Sequence, residues 1–300
     1  MLHRWWIYQR ERFPLAAHGP LVAVFSLAVI GYSALLRGRP ALPAWQILAA
    51  AFASNLIFFL QLRIADEFKD DEDDRRSRPY RPVPRGLVTL RELAAVALIG
   101  ALVQLMLALC LAPNLLPLLI ATWGYMLLMR VEFFAGHWLK QRPLLYLMLH
   151  MPILPLIALY ASAWEWLAAG STPPADLGWL LALSFLSGIV LEIGRKIRAP
   201  GDEEPGVETY SALWGRRKAT GAWLVPLALA AASAVAAAQQ VGSAAPVALI
   251  VAALFGAAAV VARRFLAVPA TATARRIEQL SGVWVLAAYL SVGVLPLLLA

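Results

Sequence analysis

Nine long apolar runs dominate the chain, at 19–37, 43–64, 92–112, 114–130, 143–164, 176–194, 219–239, 244–262 and 280–299. Each is close to or above the roughly 18 residues that a helix needs to cross the hydrocarbon of a bilayer. No strand-like alternation competes with them. Hydrophobic residues make up 61% of the 300 positions and charged residues only 15%, more apolar than a soluble core and surface require. The expected fold class is all-α, a polytopic membrane protein of nine transmembrane helices. The opening stretch MLHRWWIYQRERFP is basic and aromatic without an apolar core or a small-residue cleavage site, so residues 1–18 read as a cytoplasmic interfacial segment, and the first span is expected to be retained.

The basic residues fix an expected orientation. Twenty-four of the 26 Lys and Arg fall in loops on one side of the nine spans, leaving Arg37 and Arg39 on the other. Short basic loops mark the cytoplasmic face, which places the N-terminus inside and, after nine crossings, the C-terminus outside, in a bacterial-type inner membrane. The formal charge of +8 is accounted for by this asymmetry and carries no nucleic-acid signature. Cys110 stands alone within a span, which excludes an intramolecular disulfide and a multi-cysteine metal site, and reads as a packing residue. His3, His18 and His137 show no ligand spacing.

Against this apolar background residues 66–74 hold seven carboxylates in nine positions. If the second span continues as a helix, Glu67, Asp70 and Asp74, or alternatively Asp66, Asp70 and Asp73, form a stripe at its cytoplasmic end. Clustered carboxylates repel one another unless a cation neutralises them. An oxygen-only ligand set suits Mg2+, which keeps waters and bridges to substrate phosphates. The next residues, RPYRPVPRG, form a loop stiffened by Pro79, Pro82 and Pro84. Arg75 and Arg76 just before it and its own Arg78, Arg81 and Arg85 can grip phosphate oxygens in pairs.

With these residues in register, the chain resembles the UbiA-type intramembrane prenyltransferase superfamily. That family's first motif reads Asn-Asp-x-x-Asp-x-x-x-Asp, followed by a Pro-Tyr-Arg-Pro-x-x-x-Gly-like loop. Asp66 stands at the Asn position, Glu67 at the first Asp, Asp70 at the second and Asp74 at the third, with Pro79-Tyr80-Arg81-Pro82 and Gly86 following. Asp66 for Asn and Glu67 for Asp are departures. The family's second aspartate-rich motif corresponds to LEIGRKIRAPGDEEPGVETYSALWG, where Gly206, Thr209 and Gly215 match and Asp202 falls at the final acid. Arg195 stands where relatives carry an acid. The resemblance implies one UbiA-like domain over 1–300, its helices around a central cavity, with active-site loops at 66–91 and 195–218.

It also implies Mg2+ as cofactor and, as partners, a prenyl diphosphate, a lipophilic acceptor and membrane lipid. Asp66, Glu67, Asp70 and Asp74 are expected to bind one ion, and Asp202 with Glu203 or Glu192 a second. Arg81, Arg195, Lys196 and Arg198 are expected on diphosphate oxygens, joined by Tyr125 and Arg130 at the end of span four. Asn55 lies three turns before Asp66, and His150 is a polar group inside span five. Each either lines the cavity or makes an interhelical hydrogen bond. Trp123, Tyr125, Phe133, Phe134 and Tyr160 are placed to face an allylic cation. The expected function is Mg2+-dependent transfer of a prenyl group from a polyprenyl diphosphate to a lipophilic, aromatic acceptor. An intramembrane terpene cyclase uses the same ionisation, and a transport or non-catalytic relative is the alternative of a different class.

Overall fold

The computed structural model describes residues 2–39 and 41–299, and among them it is helical with no strand. In chain order the helices are α1 Leu2–Arg12, α2 Leu15–Leu36, α3 Trp45–Lys69, α4 Asp71–Ser77, α5 Leu90–Leu111, α6 Leu116–Arg130, α7 Gly136–Lys140, α8 Pro143–His150, α9 Ile153–Trp166, α10 Leu177–Arg195, α11 Tyr210–Trp214, α12 Arg216–Gln240, α13 Ala244–Ala267, α14 Thr271–Tyr289 and α15 Leu295–Leu299. A π-turn at Leu290–Val294 joins the last two.

Among the described residues eight helical stretches are long and apolar enough to cross a membrane, Pro143–Trp166 being one of them. Of the nine predicted runs, 114–130 is not among the eight, and 143–164 is interrupted within its span. The 114–130 run is helical only as α6, of 15 residues, about 22 Å at 1.5 Å per residue against a hydrocarbon core of roughly 30 Å. The 143–164 run is broken at Met151–Pro152 into α8 and α9, since Pro152 has no N–H to give to the helix. On α5 the side chains of Leu98, Ile99, Leu102 and Met106 are each more than half exposed, an apolar face that water would not tolerate over such a length and lipid would. This is an integral membrane protein. Cys110 lies on the same helix, exposed and not packed.

The chain resolves into two compact units, one holding the residues to Ile30 and Pro43–Thr172, the other Gly31–Leu42 and the chain from Pro173 onward. In the first unit, polar side chains join helices that could otherwise slide on one another. Asn55 on α3 donates to Ser26 Oγ on α2 at 2.8 Å. Gln104 on α5 donates to the Ser54 carbonyl at 2.9 Å and accepts from Trp123 Nε1 on α6 at 3.0 Å. A capping box starts α5, with Thr89 and Glu92 each accepting the other's backbone N–H.

The N-terminal segment is a helix with one face against protein. Tyr8 is buried with Ile64, Val83, Val88 and Leu93, so α1 covers the end of α3, the proline loop and the start of α5. Charged contacts surround that apolar patch: Arg4 pairs with Glu92, Glu11 with Arg85 at 2.9 Å and Arg12 with Glu67 at 2.5 Å. The last is the buried one, with side chains 10% and 1% exposed.

In the second unit three helices meet at Gly194. A methyl group there would lie 2.1 Å from Ser281 Oγ and 3.2 Å from Trp223 Nε1. Those two atoms are hydrogen-bonded at 2.9 Å. Glycine therefore lets α10 reach the bond between α12 and α14. Tyr32 donates to the Ala237 carbonyl at 3.1 Å.

Two stability changes are expected. Arg12→Ala leaves buried Glu67 with Arg63 as its remaining close cationic partner and is expected to cost about 1–3 kcal/mol, read as a lower thermal midpoint and as early proteolysis between α1 and α2. Gly194→Ala overpacks the α10, α12 and α14 contact and is expected to cost about 1–3 kcal/mol in the same melting experiment, with no change in cleavage near α1.

Candidate active site

Helix α3 continues past the predicted end of its span at 64, so Asp66 and Glu67 sit on its last turn. At Asp70 the backbone leaves helical geometry (φ −94°, ψ 2°) before α4 resumes. The four-residue hydrogen-bond spacing nonetheless persists across the break. The Asp70 N–H donates to the Asp66 carbonyl at 2.9 Å, Asp74 to Asp70 at 2.8 Å and Arg78 to Asp74 at 2.8 Å. Residues 66, 70 and 74 thus remain in one row. Burial raises the Asp70 pKa; Lys69 opposes that rise, Asp66 and Asp74 add to it as like charges, and Arg78 opposes it.

The acids have different partners. Glu67 is buried, and its Oε1 accepts from Arg12 Nε at 2.5 Å and from Arg63 Nη2 at 3.1 Å. Asp73 points to Lys140 at 3.5 Å. Asp66 is 40% exposed and lies 3.7 Å from Lys69 and 3.9 Å from Arg63, beyond hydrogen-bond reach. Asp74 is buried. Its Oδ2 accepts from Arg81 Nη1 at 2.6 Å, while its Oδ1, 3.1 Å from Arg78 Nε, makes no hydrogen bond. The sequence offered two stripes, and the geometry takes part of each: the backbone hydrogen bonds keep Asp66, Asp70 and Asp74 in one row, with Asp74 paired to Arg78 and Arg81, while Glu67 turns to Arg12 and Arg63 and Asp73 to Lys140.

No three His, Cys, Asp or Glu side chains among the described residues converge tightly enough to enclose a metal ion by themselves. Mg2+ does not require this, since it is ordinarily held by one or two carboxylates together with water and substrate phosphate. An open Asp66, a destabilised Asp70 charge and the unsatisfied Asp74 oxygen fit that donor set.

The proline loop is held from both ends. Arg81 reaches back to Asp74, Arg85 Nη1 donates to the Tyr80 carbonyl at 2.7 Å, and Val83 and Val88 enter the patch around Tyr8. Gly86 turns the chain at φ +76°, where a β-carbon would be strained. Arg12, Arg63 and Tyr8 stand outside the sequence motifs and are brought to this region by the fold. Arg63 was accessible from its i, i+4 spacing to Glu67, whereas nothing local in the sequence connects Arg12 with a residue 55 positions away.

In the second unit, Glu192 on the last turn of α10 is held by two cations. Its Oε2 accepts from Arg195 Nε at 2.6 Å, and Lys196 Nζ lies 2.9 Å from its Oε1. Asp202 accepts from Thr271 Oγ1 at 2.8 Å. Glu203 accepts from Thr209 at 2.6 Å and from Ser211 at 2.7 Å, and Ser211 Oγ also accepts the Arg198 N–H at 2.8 Å. The Gly206-x-x-Thr209 pattern has a local cause: Gly206 adopts φ +79° and Thr209 N-caps α11 by accepting from the Ala212 N–H at 3.1 Å. Glu203 is therefore fixed by hydroxyls, and Glu192 by the basic residues expected on diphosphate.

The remaining candidates divide. Tyr125 donates to the Leu149 carbonyl at 2.8 Å, and the Arg130 guanidinium lies over the Phe68 ring at 4.9 Å. Asn55 makes the interhelical bond to Ser26. Tyr160 is fully buried with its ring edge-on to Phe58 and Trp164, while Phe134 is 84% exposed. His150 is buried against Tyr146 and Phe133.

Comparisons with known proteins agree with this architecture. The sequence profile of the UbiA prenyltransferase family matches residues 24–280; no curated protein matches the chain. Among solved structures, an apo UbiA homologue from Aeropyrum pernix K1 superposes with a TM-score of 0.67 at 16% identity, covering 89% of this chain and 96% of that one. A structure of digeranylgeranylglyceryl phosphate synthase gives 0.62 at 17% identity, with 97% and 98% covered. A UbiA homologue from Archaeoglobus fulgidus bound to DMAPP and Mg2+ gives 0.53 at 12% identity, with 93% and 99% covered. At these identities the likeness is one of fold, and the profile match over most of the length carries the assignment: the chain belongs to the UbiA prenyltransferase family.

Proposed function

We propose that the protein is a Mg2+-dependent prenyltransferase that moves a prenyl group from a polyprenyl diphosphate to a lipophilic, aromatic acceptor within the membrane. The observation that carries the reading is the row Asp66, Asp70 and Asp74, held by successive backbone hydrogen bonds, in which the half-buried middle acid has a carboxylate one turn to either side and its pKa raised. The Aeropyrum fold match and the family's chemistry support it, as does the binding of DMAPP and Mg2+ by the Archaeoglobus homologue.

On this reading Asp66, Asp70 and Asp74 Oδ1 would hold one ion, and Asp202 with Glu203 or Glu192 another. Mg2+ held there would supply positive charge to offset the negative charge of the leaving diphosphate. Following the family resemblance, Arg81 and Arg130 in the first unit, and Arg195, Lys196 and Arg198 in the second, would take diphosphate oxygens. Arg81 is already fixed by its bond to Asp74, so its position costs little ordering when substrate arrives. The apolar helices keep water from the allylic carbon until the acceptor captures it. The bias of Lys and Arg to one set of loops supports a cytoplasmic N-terminus and a cytoplasmic acid row.

Purified protein in lipid nanodiscs, given labelled prenyl diphosphates of several lengths with and without extracted membrane lipids, is expected to release diphosphate only with Mg2+. Removal of one carboxylate by Asp70→Asn is expected to lower release by on the order of 100-fold. Because burial raises the Asp70 pKa, its ionised form opposes folding at neutral pH. The same variant should therefore melt at an equal or higher temperature. No release under any pairing, or full release from Asp70→Asn, would overturn the reading.

A further inference from the structure

His150 ends α8 with 6% of its surface exposed. Its Nδ1 lies 2.8 Å from the Tyr146 carbonyl. A carbonyl only accepts, so the hydrogen of the neutral imidazole is on Nδ1, and Nε2 presents a bare lone pair. That Nε2 is buried and makes no hydrogen bond. The Tyr146 ring stacks on the imidazole at 4.0 Å, and Phe133 meets its edge at 5.7 Å. Phe133 also packs edge-on against Tyr125 at 5.7 Å.

The backbone that delivers Phe133 is strained. Glu132, Phe133 and Phe134 take φ values of +48°, +54° and +58°, the left-handed region that side chains with a β-carbon disfavour. Strain of this kind is retained where the surroundings impose it, often at a ligand site. The same segment holds a second unsatisfied acceptor, the buried Glu132 Oε1. Nearby donors are engaged, Tyr125 OH with the Leu149 carbonyl and Lys69 Nζ with Tyr146 OH at 2.7 Å.

The region therefore has aromatic walls and two acceptors without donors. A diphosphate, which offers only acceptor oxygens, is repelled by a carboxylate and a bare imidazole lone pair. A hydroxyl group suits them. The acid row is close by, because Lys69 also lies 3.7 Å from Asp66, so a molecule held here is separated from the row by the Lys69–Tyr146 pair. We infer that His150 Nε2 accepts the hydroxyl hydrogen of a hydroxyaromatic substrate whose ring packs against Phe133. This rests on the prenyl-transfer reading for the role of that substrate, and gives its acceptor class a recognition residue.

The test uses full-length protein in nanodiscs with 15N-labelled histidine and two probes of similar size, 1-naphthol and 1-methylnaphthalene. The His150 Nε2 resonance, assigned by its loss in His150→Phe, is expected at the position of an unprotonated nitrogen and to move upfield with 1-naphthol but not with 1-methylnaphthalene. In binding measurements corrected for partition into empty nanodiscs, His150→Phe is expected to weaken 1-naphthol about tenfold, the loss of one hydrogen bond of roughly 1.4 kcal/mol, and to leave 1-methylnaphthalene within about twofold, with His150→Gln restoring part of the difference. An unmoved resonance, or equal weakening of both probes, overturns the inference. Should His150→Phe fail to fold, His150→Gln assigns the resonance, and the wild-type response to the two probes decides. Binding of 1-naphthol needs neither Mg2+ nor diphosphate, so diphosphate release without a naphthol response refutes this inference alone. A naphthol response without any diphosphate release refutes the prenyl-transfer reading alone.

Discussion

Seven carboxylates at the end of an apolar helix must each find a cation, a donor or water, because a buried charge left alone costs several kcal/mol. Much of the first unit is arranged around that requirement. Arg12 and Arg63 converge on Glu67, Arg78 and Arg81 on Asp74, Lys140 on Asp73 and Arg75 on Asp71. These pairs come from α1, α3, α4, α7 and the proline loop. Charge compensation therefore fixes both the N-terminal helix and the loop, and the apolar patch around Tyr8 closes over it.

The compensation is uneven. Glu67 has two guanidinium partners and no freedom to take another cation. Asp66 has only distant ones, and Asp70 lies between two acids. A surplus of negative charge thus persists at positions 66 and 70 after the structural pairs are satisfied. In the second segment the opposite holds for Glu192, whose carboxylate is matched by both Arg195 and Lys196. Of the acids there, Asp202 and Glu203 are held by hydroxyls, which satisfy hydrogen bonds without cancelling charge.

How far the sequence led depended on the range of the interaction. Span positions followed from runs of apolar residues, because a helix in lipid satisfies its backbone within itself. The acid row and the cap at Thr209 followed from spacings of three to four residues. What the sequence concealed depends on contacts distant in the chain or on strain. Arg12 meets Glu67, and Phe133 meets His150, only through tertiary packing. Three successive left-handed residues in Glu132-Phe133-Phe134 oppose every local preference of those residue types, so no reading of propensity would place them. The shortness of α6 was less hidden, because Pro113 and Pro117 stand at its start.

The two departures from the family's first motif can now be read together. A glutamate at 67 is one methylene longer than aspartate, and its carboxylate leaves the row to meet Arg12 and Arg63. Had Asn remained at 66, only Asp70 and Asp74 would stay in the row, and Asp74 is half committed to Arg81. An aspartate at 66 restores the third carboxylate, one helical turn before Asp70, with the Asp70 N–H bonded to its carbonyl. In this chain the row therefore runs 66, 70 and 74, and the acid at 67 serves the attachment of α1 through Arg12. The charge of the row and the docking of the N-terminal helix are carried by two adjacent acids, each on its own face of α3.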